Sequence, residues 1–152
     1  MNDYQSLRRR QSSQVEKTYE IGGAAALSKT KNILILEDEV AFAILLKEDL
    51  ESEGYHVTVV SNGAEGLKKI LTNDFEIILC DMVMPNFPGD MFYLAVERAR
   101  PNLCKRFIFM TGHQGDSKIG EFIRRIRGLM LWKPFETHVL FDAIKVVNSK
   151  NQ

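Results

Sequence analysis

Ile77-Ile78-Leu79-Cys80-Asp81-Met82-Val83-Met84-Pro85 is the stretch on which the fold turns. Ile77 to Cys80 is a short apolar run, bounded like a strand and apolar at every position, as strands buried on both faces of a parallel sheet are. The run ends on a carboxylate, Asp81, and Pro85 soon interrupts the backbone. In open α/β sheets the C-terminal ends of the strands are where chemistry gathers.

Upstream, Asn32-Ile33-Leu34-Ile35-Leu36 reads as a first strand, followed at once by Glu37-Asp38-Glu39. Asp38 is expected to cap the next helix, its carboxylate on the free N–H groups. That helix extends to about Glu53 with Phe42, Leu45, Leu46 and Leu50 on one apolar face, and Gly54 ends it. His56 to Val60 is a second strand, Ser61-Asn62-Gly63 a turn, and Ala64 to Thr72 a helix with Ala64, Leu67 and Leu71 inward. The third strand spans Glu76 to Cys80.

Downstream, Asn86-Phe87-Pro88-Gly89 is a loop, and a helix follows from near Asp90 to Arg98, closed off by Pro101. Arg106 to Met110 is a fourth strand that delivers Thr111, before the loop Gly112 to Asp116. The next helix has Ile119, Phe122, Ile123 and Ile126 as its apolar face, and Gly128 ends it. Leu129 to Trp132 is a fifth strand, ending in Lys133-Pro134. The last helix, from about Phe135 to Asn148, carries Leu140, Ala143, Ile144 and Val147 at helical spacing.

Strands alternating with amphipathic helices argue for a parallel sheet covered on both faces, with right-handed crossovers. Five such units suit a five-stranded parallel sheet in the order 2-1-3-4-5, flanked by five helices, the flavodoxin-like arrangement. The 152 residues fit one domain, and 45% hydrophobic with 26% charged residues is ordinary for a globular protein. Residues 1–30 keep no apolar period and read as a flexible leader, leaving 31–150 as the domain. Formal net charge is zero, so no overall field draws the chain to nucleic acid or membrane. Residues 1–31 hold six Lys/Arg against three Asp/Glu, and the remainder fourteen against seventeen. No apolar run reaches the roughly 20 residues of a membrane span. Cys80 and Cys104 form no paired motif, which suits a reducing compartment; a cytoplasmic location is expected.

In a parallel sheet the strand ends share one edge. Glu37 and Asp38, Asp81, Thr111 and Lys133 are therefore expected in one crevice. Three carboxylates there repel one another, and a hard divalent cation with oxygen ligands, Mg²⁺, would relieve that. One carboxylate can then act as a nucleophile toward phosphorus. Lys133 and the Thr111 hydroxyl can hold phosphoryl oxygens.

With these residues assembled, the sequence resembles the receiver domain of two-component response regulators, the CheY-like superfamily. The resemblance rests on Ile33 to Glu39, on Asp81 to Pro85 with Gly89, on Met110-Thr111-Gly112, and on Trp132-Lys133-Pro134-Phe135. It covers about residues 31–148 and is specific as a set. It implies that Asp81 is the phosphoacceptor, that Asp38, Asp81 and the Val83 carbonyl bind Mg²⁺, and that Glu37 reaches the metal through water. It implies that Thr111 and Lys133 contact the phosphoryl group and that the Lys133–Pro134 bond is cis. The implied donor is a sensor histidine kinase or a phosphotransfer protein. The implied output is protein contact with a downstream target, or homodimer formation, through the last two helices and the fifth strand. The implied chemistry is confined to the domain's own phosphorylation and dephosphorylation.

Two positions depart from the family pattern. Met130 stands where the family has an aromatic ring three residues before the lysine; a thioether can still repack as Thr111 moves. Pro88 stands where Asp often precedes Gly89, and it stiffens the loop. His113 lies where family members tune dephosphorylation. Met130 keeps open an alternative, a receiver-like interaction module that works without phosphate. Haloacid-dehalogenase-like phosphatases share the strand-end Asp but use a second Asp two residues on, where this chain has Val83. There is no G-x-G-x-x-G, no P-loop, and no basic recognition helix for DNA. The chain ends soon after the last helix, so a single-domain receiver, or a receiver cut from a larger protein, is expected.

Overall fold

Five strands pair in parallel in the order β2-β1-β3-β4-β5 in the computed structural model, which describes residues 31–151. The leader expected over residues 1–30 lies outside the described residues. The strands are β1 (Asn32–Leu36), β2 (His56–Val60), β3 (Ile77–Asp81), β4 (Phe107–Thr111) and β5 (Leu129–Trp132). Between and after them come α1 (Val40–Ser52), α2 (Gly63–Thr72), α3 (Gly89–Ala99), α4 (Ser117–Ile126) and α5 (Thr137–Lys150). A 3₁₀ turn over Pro101–Arg106, not foreseen from sequence, joins α3 to β4 and buries Leu103. Among the described residues no helix is long and apolar enough to cross a membrane.

Alternation along each strand divides the core into two layers. Leu34, Leu36, Ile78, Cys80, Phe107 and Phe109 face α2, α3 and α4, meeting Ile70, Phe92, Val96 and Phe122. Ile33, Ile35, Leu79, Ile108 and Met110 face α1 and α5, meeting Leu46, Leu50, Leu140 and Ile144. Every residue of β3 and β4 is buried, as expected of central strands covered on both sides. Each fully buried Leu or Ile contributes about 1.5–3 kcal/mol over its exposed state. The first layer adds an aromatic cluster, with Tyr93 edge-on to Phe107 at 5.1 Å and Phe109 edge-on to Phe122 at 5.7 Å.

Three helix expectations need correction. In α1 the buried residues are Ala43, Leu46 and Leu50, with Phe42 beside them, while Leu45 is exposed. In α2 the inner face is Gly63, Gly66 and Ile70; Leu71 and Ala64 point outward. Glycine lets α2 approach closely, because a Cβ at Gly66 would come within 2.7 Å of Leu36 and 2.9 Å of Phe92. At the end of α4 the left-handed residue is Arg127 (φ 54°), not Gly128. Gly128 answers to space instead, since a Cβ there would lie 3.0 Å from Ile126. By contrast Gly54 ends α1 as expected, with φ 89° and bonds from its own N–H and that of Tyr55 back to Glu51 and Leu50.

The strand registers set the site. Leu36 pairs with Cys80, so Glu37 and Asp81 come next side by side. Asp81 pairs with Met110, and Thr111 with Trp132, so Thr111 and Lys133 each follow one step on.

Candidate phosphoacceptor site

One edge of the sheet gathers the residues expected there. Carboxylate oxygens of Glu37, Asp38 and Asp81 all lie within 4.8 Å of one another. Glu37 and Asp81 are buried, and Asp38 is exposed. Asp38 does not cap α1. The helix starts one residue later, with Glu39 at the N-cap position and no side-chain cap bond. The Glu39 N–H turns back to donate to Glu37 Oε1 at 3.0 Å, which fixes the loop and leaves Asp38 at the mouth of the crevice.

Asp81 is held at both oxygens. The Val83 N–H donates to Oδ1 at 2.9 Å, and Lys133 Nζ to Oδ2 at 2.9 Å. Lys133 also donates to Glu37 Oε2 at 2.6 Å. Burial is the largest influence on Glu37 and pushes its carboxyl from 4.5 up to about 7, against the lowering pull of Lys133. Lys133 itself is raised: its bonds to Glu37 and Asp81 outweigh the opposing cost of burial.

The lysine is positioned from three sides. Its N–H donates to the Thr111 carbonyl at 2.8 Å, and the peptide to Pro134 is cis, as the resemblance implied. Its ammonium lies 4.6 Å from the ring centroid of Phe42, which packs edge-on to Phe135 at 5.8 Å. Sequence reasoning gave Phe42 only a core role. The available signal was an aromatic in the first turn after the acidic pair, a place from which it can face the same crevice. The Thr111 side chain is fully buried, and its hydroxyl accepts from the His113 N–H at 3.1 Å.

The loop after Asp81 is tightly built. Gly89 N–H bonds to the Met82 carbonyl at 3.0 Å, and a Cβ on Gly89 would meet the Asp81 carbonyl oxygen at 2.6 Å. Phe87 lies over Gly63, where a Cβ would come within 1.9 Å of its ring. Met130, in register with Phe109, is half-buried against the aromatic layer. Trp132, opposite Thr111, is 44% exposed.

Residues 33–145 match the sequence model of the response regulator receiver domain. The chain belongs to that family. This receiver is 34% identical over 115 residues to the response regulator receiver protein CpdR of Brucella abortus, covering 76% of this chain and 94% of that protein. It is 30% identical to the response regulator ArlR of Staphylococcus haemolyticus over 76% of this chain, but it spans only about half (52%) of that protein. Its match to the sensor kinase CckA of Brucella abortus, at 28% identity, covers 90% of this chain and 14% of that protein. A solved CheY-like receiver from Methanospirillum hungatei superposes with a TM-score of 0.72 at 27% identity, over 81% of this receiver and 98% of that chain. Receiver domains are phosphorylation modules of two-component systems rather than classical enzymes. They generally bind Mg²⁺ and interact with histidine kinases or phosphotransfer proteins.

Proposed function

We propose that this receiver is a phosphorylation-dependent switch whose acceptor is Asp81. The observation that supports this most is the Asp81 carboxylate itself. It is buried at a strand end, gripped by the Val83 N–H and the Lys133 ammonium, with Glu37 and Asp38 beside it. An Asp81 oxygen attacks phosphorus of a phosphohistidine on a histidine kinase or phosphotransfer protein. The new P–O bond forms as the P–N bond breaks, and the imidazole leaves with a proton. Lys133 then holds a phosphoryl oxygen, and the Thr111 hydroxyl turns from His113 to donate to another.

The donor set fits Mg²⁺, being all oxygen with two carboxylates buried. Asp38, Asp81 and the Val83 carbonyl would hold the ion directly and Glu37 through water. Bound there, it would neutralise charge on the transferring group. The chemistry of the domain is its own phosphorylation and dephosphorylation. The free thiols of Cys80 and Cys104 suit a cytoplasmic setting. Exposed Trp132, Val139 and Val146 support output by protein contact at β5 and α5, to a target protein or a second copy.

The test is to add Mg²⁺ and beryllofluoride, an acyl-phosphate mimic, while following Trp132 fluorescence and hydrodynamic size. A saturable, Mg²⁺-dependent change that disappears in Asp81→Asn is the expected result, with a size increase if homodimers form. Acid-labile label persisting in Asp81→Asn would remove Asp81 as acceptor. Met130 favours one other role, a module that works without phosphate; no response to beryllofluoride and no Mg²⁺ binding would select it.

A further inference from the structure

The Lys133 ammonium has three N–H donors, and two of them go to Glu37 Oε2 at 2.6 Å and Asp81 Oδ2 at 2.9 Å. Among the described residues no oxygen accepts the third. The ammonium lies instead over the Phe42 ring, 4.6 Å from its centroid, inside the roughly 6 Å at which a cation is drawn to a ring face. Only 18% of the lysine side chain is exposed, so the contact sits largely out of water.

Phe42 reaches this place from the first turn of α1, three residues after the N-cap Glu39. Ala43 beside it is buried, which keeps that side of the helix against the sheet. Phe135, two residues past the lysine, meets the ring edge-on at 5.8 Å and 72°. One short segment, 133–135, therefore supplies both the ammonium and the side chain that braces the ring beneath it.

The ring differs from the two carboxylates in carrying no net charge. A divalent cation held in the crevice would draw on Glu37 and Asp81, and a phosphoryl group on Asp81 would change the carboxylate that Lys133 now holds. Neither competes for the ring quadrupole. With no ring there, an ammonium on a long flexible stem would be free to turn out to water once its carboxylate partners were engaged. Resting on the reading of Asp81 as phosphoacceptor, we propose that Phe42 is a positioning residue. Its ring keeps the Lys133 ammonium in the crevice while Mg²⁺ and the phosphoryl group engage the carboxylates.

The test uses the full chain. Phe42→Leu and Phe42→Met remove the ring and keep apolar bulk at a half-buried position, so both fold; Phe42→Tyr keeps the ring. Proton NMR reads the contact directly, because a ring face shields protons that lie over it. The Lys133 ε-methylene protons should be shielded in the native chain, stay shielded when Mg²⁺ is added, and lose the shielding in Phe42→Leu and Phe42→Met. Mg²⁺-dependent affinity for beryllofluoride should fall about fivefold in those two variants and stay near the native value in Phe42→Tyr. Shielding lost on adding Mg²⁺, native affinity in the ring-free variants, or an equal loss in Phe42→Tyr would each overturn this inference and leave Asp81 as acceptor. A native chain with no response to beryllofluoride would overturn both.

Discussion

The Lys133 ammonium lies 2.6 Å from Oε2 of Glu37, a residue 96 positions earlier, and closes the acidic crevice from the far end of the sheet. Its second bond, to Asp81, makes it the internal counter-ion of two buried carboxylates. A divalent cation held in the crevice would compete with it for the same negative charge.

Lys133→Met should therefore do two opposite things. Without Mg²⁺ the variant should lose about 3 kcal/mol of stability, because two buried carboxylates lose their partner. With Mg²⁺ it should regain part of that loss by mass action and bind the ion several-fold more tightly. Urea unfolding with and without millimolar Mg²⁺ separates the two effects. Equal losses under both conditions would mean that the ion and the lysine do not share the crevice.

Glu37 makes stability fall as pH rises in metal-free buffer. Its folded carboxyl titrates near 7, above the 4.5 of an exposed glutamate. Between those values the folded state binds more protons than the unfolded state, so the stabilising contribution is complete below about 4.5 and lost through pH 7. Over the same range Mg²⁺ affinity should climb, since the ion displaces a proton. Glu37→Gln should flatten both trends. Thermal midpoints and Mg²⁺ titrations at several pH values between 5 and about 8 provide the check.

Gly89→Ala should strain the loop after Asp81. The added methyl would meet backbone, the Asp81 carbonyl oxygen at 2.6 Å and Met82 Cα at 2.9 Å, and backbone cannot rotate away as a side chain can. A loss of about 2 kcal/mol is expected, together with slower acceptance of phosphoryl from a small-molecule donor such as acetyl phosphate. Gly63→Ala has the closer contact, 1.9 Å from the Phe87 ring, but that half-buried ring can turn, so its cost should be smaller. The reverse order of stability would show that Phe87 is the more rigid of the two.

The strands and their order were open to sequence reading because apolar runs such as Ile77 to Cys80 have few ways to be buried on both faces. The acidic set, Thr111 and Lys133 followed from those strand ends. Helix faces were harder where packing depends on what is missing. The inner side of α2 is marked by Gly63 and Gly66, whose lack of a side chain carries no hydrophobic signal. Leu71 and Leu45 then attract a pattern reader although they face solvent. Asp38 was drawn toward a capping role by its position before α1, and only the turn made by Glu39 N–H to Glu37 frees it for the crevice. Phe42 could be placed on the buried side of α1 but not under a lysine 91 residues away, since that contact depends on how β5 and α1 meet.

Met130→Tyr tests whether an aromatic ring strengthens the switch. Met130 lies beside Phe109 in the sheet, half-buried against the layer that also holds Phe122 and Ile123. A thioether with three rotatable bonds absorbs a displacement of Thr111 by changing rotamer, whereas a ring with two must move as a plate. The variant should fold with a stability change within about 1.5 kcal/mol, because the site is only partly enclosed. Its beryllofluoride-induced change in Trp132 fluorescence should be larger than that of the native chain, since Trp132 adjoins Thr111 across the same strand pair. Equal amplitudes in the two proteins would show that movement at Thr111 reaches β5 through the backbone bond from Lys133 N–H to the Thr111 carbonyl rather than through the side chain at position 130.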